Sequence, residues 1–343
     1  MHICHVNLAS GYHGGENQTL QLIKQQVKEG YNITVVANPQ SPFATAVKEL
    51  GCKVVLAKHF FFQHKKEITG QDSIIHVHEG RAIYWALIQH LLYKVPYIVT
   101  RRIDNPLKQK WLSDLAYSHA SALVGLSRDI VSKIKSAYPD STTYCIPSSP
   151  VSYPVDAQTV TSLKQQFSGK FLVVHAANML KHKGFDVSIS AARLLEKTHP
   201  DIHFALLGDG SERENLTALA AELNNVTMPG KQSNMGDWFA AADLQIHPSY
   251  SEGLGSVILE GIGAGLPVVA TNTGGIPDII SDNESGLLVP VGDAPSLAKA
   301  ILQVASNDVL REKLIAGGQR KMKSFDIAHT AQQYLNIYQE FIK

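Results

Sequence analysis

Cysteine is scarce in this chain: three residues among 343, Cys4, Cys52 and Cys145, odd in number and widely spaced. That usage excludes a disulfide framework and shows no metal-type pairing, so a reducing, cytoplasmic compartment is expected. Long apolar runs are missing as well, and none reaches the about 20 residues needed to span a bilayer. The opening Met1-His2-Ile3-Cys4-His5-Val6 reads as a first strand and lacks the charged-then-apolar layout of a signal peptide. There is no dense basic helix and no nucleic-acid motif, which removes nucleic acid as a partner. Short-period repeats and low-complexity tracts are absent too.

What is present suits a globular enzyme of two domains, with 44% hydrophobic and 18% charged residues. The net charge of +1 is unevenly spread. Residues 1–155 hold 16 Lys/Arg against 10 Asp/Glu, a balance of +6, and residues 156–343 hold 15 against 20, a balance of −5. A basic first half points to an anionic partner there, or is ordinary surface variation. Short β-branched runs alternate with amphipathic stretches. Ile3–Leu8, Ile33–Ala37, Val54–Ala57, Ile74–His78, Tyr97–Thr100, Ala122–Gly125 and Thr143–Ile146 read as strands, and Asn17–Glu29 as a helix. Pro147, Pro150 and Pro154 then interrupt the pattern and mark a linker. A second βα series follows, with strands over Phe171–Ala176, His203–Leu207, Asn225–Met228, Leu244–His247, Pro267–Ala270 and Gly286–Val289. Two helical stretches close the chain, the last over about Ile327–Ile342. The expected fold is α/β: two Rossmann-like domains in tandem, 1–150 and 156–325, with an interdomain cleft.

Ligands of such sheets bind outside the carboxyl ends of the strands, so the loops leaving strands carry the candidates. Ser10–Glu16 contains Gly14, Gly15 and Glu16 before the first helix, where glycine lets backbone amides approach an anion; a tight turn explains it equally well. At the fourth strand, His76 and His78 share one face. They read as hydrogen-bonded histidines or as two zinc ligands lacking a third nearby in sequence. Asn178-Met179-Leu180-Lys181-His182-Lys183-Gly184 places two lysines and a glycine before a helix, which suits a pyrophosphate or makes a solvated basic loop. Glu252-Gly253-Leu254-Gly255-Ser256 enters the helix that carries Glu260. Eight residues of helix span about 12 Å, so two carboxylates flank a Gly-rich turn at about the length of a sugar–diphosphate–ribose.

With these loops in order, the sequence resembles family 4 of the glycosyltransferases, retaining enzymes of the two-Rossmann GT-B architecture, of the bacterial lipopolysaccharide or surface-polysaccharide type. The resemblance covers nearly the whole chain. It rests on Gly208-Asp209-Gly210, Ala241-Ala242-Asp243, Pro248-Ser249-Tyr250-Ser251-Glu252-Gly253-Leu254, the Glu252/Glu260 pair and Gly274-Gly275-Ile276-Pro277-Asp278. Gly14-Gly15-Glu16 and His76-x-His78-Glu79 match the first domain's loops.

The resemblance implies roles. Glu260 holds the donor ribose, and Glu252 contacts the transferring sugar. Lys183 neutralises the diphosphate, with backbone amides of Gly255 and Ser256. Gly15 approaches the phosphate from the other domain, and His78 lines the cleft beside the sugar. The base sits near Pro229-Gly230-Lys231, and the final helix, about 327–343, packs back on the first domain. One departure concerns the loop's usual arginine: Asn178 occupies that position, leaving Lys181 as the candidate replacement cation. With no Asp-x-Asp in the chain, transfer is expected to be metal-independent, with no cofactor beyond a sugar nucleotide as co-substrate. The implied reaction is hexosyl transfer with retention to a glycan or glycolipid acceptor. Arg81, Arg101 and Arg102 are acceptor candidates. Lys58 to Lys66, with Phe60, Phe61 and Phe62 among basic groups, reads as contact with the anionic inner face of the cell membrane, or as a core edge and solvated loop. A sugar-nucleotide epimerase and a noncatalytic sugar-nucleotide-binding protein are the alternatives. A nicotinamide dehydrogenase is not, because the Gly-x-Gly-x-x-Gly fingerprint and its distal acid are missing.

Overall fold

Valine- and isoleucine-rich runs become parallel strands in two separate sheets. The computed structural model describes residues 1–12, 14–70, 72–102, 104, 107 and 110–342. His13 of the first loop and Lys343 of the last helical stretch lie outside the described residues. The chain divides into two units, Met1–Ser149 with Phe325–Lys343, and Pro150–Ser324.

Unit 1 runs β1 (His2–Asn7), α1 (Gly14–Lys28), β2 (Asn32–Ala37), α2 (Pro42–Glu49), β3 (Lys53–Leu56), α3 (Lys66–Thr69), β4 (Ser73–Val77), α4 (Ala82–Tyr93), β5 (Tyr97–Arg101), α5 (Trp111–Ser118), β6 (Ala122–Gly125), α6 (Arg128–Ala137) and β7 (Thr143–Cys145). The parallel order β3-β2-β1-β4-β5-β6-β7 reverses direction between β1 and β4. Every residue of β4 is buried, as expected of a parallel strand covered on both faces. One core cluster joins Ile3, Ile74, Ile98 and Val124 to Ala331, Tyr334, Leu335 and Tyr338 of the chain's last helix. Those four residues recur at helical spacing and tie the C-terminus to the first sheet. The helix α1 starts at Gly14, three residues before the Asn17 at which the sequence pattern placed it, so its first amides belong to glycines.

Unit 2 runs α7 (Ala157–Gln166), β8 (Phe171–Ala176), a 3-10 turn (Lys181–Lys183), α8 (Phe185–Leu195), β9 (Ile202–Leu207), α9 (Arg213–Ala220), β10 (Val226–Gly230), α10 (Met235–Ala241), β11 (Leu244–His247), α11 (Ser256–Gly263), β12 (Val268–Thr271), α12 (Ile276–Ile279), β13 (Leu287–Val289), α13 (Ala294–Ser306) and α14 (Asp308–Met322). Its parallel order is β10-β9-β8-β11-β12-β13, with the reversal between β8 and β11. The last helix is α15 (Ile327–Phe341). Three helices therefore close the described chain, where the sequence pattern suggested two. The break falls at Asn307, whose backbone is extended and whose side chain accepts from Leu310 N at 2.9 Å to cap α14. Apolar periodicity runs through this cap, which hid the break.

Candidate active site

In an open α/β sheet the strand-order reversal splays two neighbouring loops apart and leaves a crevice at the carboxyl edge. In unit 2 that point lies between β8 and β11, so the loops after Ala176 and after His247 meet there. One glycine allows the meeting, and a second seats the loop after β12 against Glu252. Gly184, at φ +71°, lies so close to Pro248 that an added Cβ would fall 1.9 Å from its carbonyl oxygen. Gly274, at φ +52°, packs as tightly on the Glu252 carbonyl, and Gly275 N donates to that oxygen at 3.0 Å. A side chain at Gly184 would push those two loops apart, and one at Gly274 would push the loop after β12 away from Glu252.

Glu252 and Lys183 meet in consequence: Lys183 Nζ donates to Glu252 Oε2 at 2.6 Å, and His247 Nε2 donates to the same oxygen at 2.8 Å. His247 is buried, and both members of the ion pair are mostly so. Burial alone would raise the Glu252 pKa; the His247 hydrogen bond and Lys183 reverse this and hold it at about 2. The carboxylate is thus ionised at neutral pH. It sits beside the start of α11, because an added Cβ on Gly255, which has φ +91°, would lie 3.3 Å from Glu252 Cγ. First-turn amides of a helix lack intrahelical acceptors and favour an anion. Gly253, Leu254 and Gly255 are buried and Ser256 opens α11.

About one turn into α11, Glu260 accepts from Tyr153 Oη at 3.2 Å. Burial raises its pKa to about 7, only partly offset by that hydrogen bond. The two carboxylates of the Glu-x7-Glu pair are therefore in opposite electrostatic situations. Gly230, with φ +84°, ends β10 against the Arg213 guanidinium, 2.9 Å from an added Cβ, and Arg213 also donates to Gly208 O at 3.3 Å. Lys231 is exposed, as are Asn178 and Lys181. Lys183 is therefore the lysine of its loop that reaches Glu252.

In unit 1 the reversal between β1 and β4 presents His78, one residue beyond β4, and the start of α1. An added Cβ on Gly14 would meet nothing within 4 Å, and one on Gly15 only Arg102 Cδ at 3.6 Å. Packing does not demand glycine at either position. Glu16 is buried in the first turn of α1 and accepts from Asn7 Nδ2 at 3.2 Å. His78 is 4% exposed. His5, His76 and His78 have ring nitrogens all within 4.8 Å of one another, the spacing of a metal site. Their nitrogens are already engaged: His5 Nδ1 faces His78 Nε2 at 2.8 Å, and His76 lies between Tyr338 Oη at 2.6 Å and Thr100 Oγ1 at 2.7 Å. Burial holds His5 down at about 4, and holds His76 and His78 well below the usual histidine value. All three are neutral.

The three candidate arginines go to separate places. Arg81 donates to Leu8 O at 3.0 Å, while Arg102 donates to Ser148 Oγ at 3.2 Å and to His78 Nδ1 at 3.4 Å. Arg101 is hydrogen-bonded to Tyr117. Sequence reasoning missed His5, His247 and Arg213. His5 was findable, since parallel pairing of β1 with β4 puts it in register with His76. His247 stands five residues before Glu252 but reads as an ordinary strand residue.

Residues 161–321 match the family model described as "Glycosyl transferases group 1". Among curated proteins, the lipopolysaccharide core biosynthesis glycosyltransferase LpsE of Rhizobium meliloti is 36% identical over 154 residues, 44% of each chain. A D-inositol 3-phosphate glycosyltransferase of Nocardioides is 34% identical over 188 residues, 49% of this chain and 41% of that protein. The chain thus spans less than half the length of these relatives. Among solved structures, Anabaena HepE in complex with UDP and glucose aligns over 99% of this chain and 100% of its own, with TM-score 0.84 and 20% identity. Sucrose-phosphate synthase of Thermosynechococcus elongatus aligns over 99% and 98%, with TM-score 0.80 and 18% identity. Unit 2 therefore carries a glycosyl transferases group 1 domain, in a chain with the two-Rossmann fold of GT-B glycosyltransferases.

Proposed function

We propose that this protein is a retaining, metal-independent glycosyltransferase that moves a hexose-type sugar from a nucleoside-diphosphate donor to a glycan or glycolipid acceptor, in lipopolysaccharide or surface-polysaccharide synthesis. One observation carries the reading: an ionised Glu252 held by Lys183 and His247 at the strand-order reversal of a group 1 domain, beside the start of α11. A diphosphate offers Lys183 a better anion than Glu252, and the freed carboxylate oxygen then accepts from sugar hydroxyls. His247 keeps its hold on Glu252 during that exchange. The amides of α11 take up charge that develops on the leaving phosphate, as preorganised dipoles do. Glu260 accepts from ribose hydroxyls, and Gly230, Lys231 and Arg213 flank the base. Complexes of HepE with UDP and UDP-glucose favour a uridine donor here.

Retention fits front-face attack. The C1–O bond to phosphate breaks, the acceptor oxygen bonds C1 from the same face, and its proton passes to the departing phosphate oxygen. In unit 1 the candidate groups are the amides of Gly14 and Gly15 and His78, the last by hydrogen bonding a sugar hydroxyl. No helix among the described residues is long and apolar enough to cross a membrane. Peripheral binding at an anionic cytoplasmic face is supported by Phe61 at 65% and Phe62 at 60% exposure, next to exposed Lys58, Lys65 and Lys66. Phe60 instead packs on Tyr84, ring centroids 5.2 Å apart. A thermal-shift panel of UDP-, GDP- and ADP-sugars, followed by turnover with the stabilising donor, tests the reading. Stabilisation by one sugar nucleotide and transfer to a glycan are expected; no stabilisation by any of them refutes it.

A further inference from the structure

We propose that Gln26 and His5 are positioning residues that fix the tautomer of His78 through a buried one-way chain of hydrogen bonds beginning at Arg102. This rests on the reading that His78 serves the transfer reaction.

A neutral imidazole donates from one nitrogen and accepts at the other, so one fixed neighbour sets the direction of a whole chain. Arg102 is that neighbour, because a guanidinium only donates. Its Nη2 lies 3.4 Å from His78 Nδ1, which must therefore be the accepting nitrogen. His78 Nε2–H then donates to His5 Nδ1 at 2.8 Å, and His5 Nε2–H donates to Gln26 Oε1 at 2.8 Å. The Gln26 amide nitrogen donates to Tyr338 Oη at 3.4 Å, and Tyr338 donates to His76 Nδ1 at 2.6 Å. His76 Nε2–H donates to Thr100 Oγ1 at 2.7 Å, whose hydroxyl proton remains for Tyr334 Oη at 3.0 Å. Every imidazole N–H finds an acceptor and every arrow points away from Arg102. Turning the Gln26 amide over reverses His5 and His78, and would aim His78 Nδ1–H at the guanidinium, donor against donor. Gln26 and His5 are both 0% exposed, so no water replaces a lost partner.

The consequence is chemical. With Nε2 committed to His5, the one lone pair of His78 is on Nδ1, where Arg102 holds it at 3.4 Å; a substrate O–H is accepted there by displacing that long contact, which leaves the direction of the chain unchanged. His78 is then an acceptor for a substrate O–H, and its ring cannot turn without breaking two buried bonds. Tyr338 and Tyr334 belong to the last helix, so the chain's C-terminus supports this orientation.

The test combines ring-nitrogen NMR on 15N-histidine protein with kinetics of Gln26→Leu and Gln26→Glu. Wild type should show His78 Nδ1 unprotonated and Nε2 protonated, a readout that needs no substrate and so survives failure of the functional reading. Gln26→Leu, which leaves His5 Nε2–H without an acceptor, should disturb that state. It should lower kcat by about 10–100-fold, the usual effect of losing an outer-shell partner of a functional histidine, with donor KM changed less than about twofold. Gln26→Glu keeps the acceptor and should restore both the tautomer and most of kcat. A wild-type His78 protonated at Nδ1, or a Gln26→Leu enzyme with altered tautomer and full kcat, overturns the proposal. Should Gln26→Leu not fold, the wild-type spectrum still decides the tautomer, and Gln26→Glu losing kcat as His5→Phe does would count against it.

Discussion

Each unit's strand-order reversal makes the same kind of crevice, one lined by an ion pair and the other by neutral imidazoles. In unit 2 the side chains brought together are charged, and Glu252 is kept ionised by His247 and Lys183. In unit 1 they are three neutral imidazoles, His5 and His78 hydrogen-bonded to each other and His76 held by Tyr338 and Thr100. A diphosphate must be neutralised as it departs, which takes a cation and helix-start amides. Orienting a sugar hydroxyl takes a neutral acceptor held still. Topology chooses where each site lies, and the side chains at the strand ends choose what it does.

The largest expected effect breaks the charged side of this comparison. Lys183→Ala should lower kcat about 10²–10³-fold, the usual loss when a stabiliser of transition-state charge is removed, read in steady-state kinetics. Next comes the neutral side: His78→Ala should lower kcat about 10²-fold, with less effect on UDP binding than Lys183→Ala. Equal losses of UDP affinity would erase the distinction between the two crevices.

The carboxylate pair sharpens the comparison through pH. The folded-state pKa of Glu252, about 2, lies below the ordinary glutamate value of 4.5. Its stabilisation is therefore complete above pH 4.5 and is lost as pH falls from 4.5 towards 2. Glu260 is the reverse, at about 7 when folded. Its neutral form suits the fold, so its contribution is present below pH 4.5 and is lost as pH rises through 7. Glu260→Gln should thus gain on the order of 1–3 kcal/mol over wild type at pH 8 but little at pH 4, by denaturant unfolding at both. Donor binding, which needs the ribose-facing carboxylate ionised, should strengthen in wild type as pH rises through 7. The smallest expected effect on the fold is at Lys65 and Lys66. Reversing both charges should leave stability within about 0.5 kcal/mol while abolishing co-sedimentation with anionic liposomes.

Much of the fold was legible because both sheets are parallel. Buried strands such as Ile33–Val36 and Val268–Ala270 read as uninterrupted β-branched or apolar runs, and their ends fell within a residue or two. Helix starts were less readable: α1 begins on Gly14 and Gly15, which local propensity disfavours. The Glu252–Ser256 turn was legible because its glycines and acids are contiguous. The histidine cluster was not, because His5 meets His76 and His78 only once β1 and β4 are paired, about seventy residues apart in sequence. Arg101 and Arg102 looked like one basic patch and face different partners, since neighbours at a strand end point to opposite sides.

The central claim is that Glu252 grips the sugar while Lys183 grips the diphosphate. Calorimetric titration of UDP and of the matched UDP-sugar into wild type, Glu252→Gln and Lys183→Ala tests it most directly. Glu252→Gln should weaken the UDP-sugar at least tenfold, about 1.4 kcal/mol, and leave UDP nearly unchanged, while Lys183→Ala weakens both. Equal weakening of UDP and UDP-sugar by Glu252→Gln would contradict it.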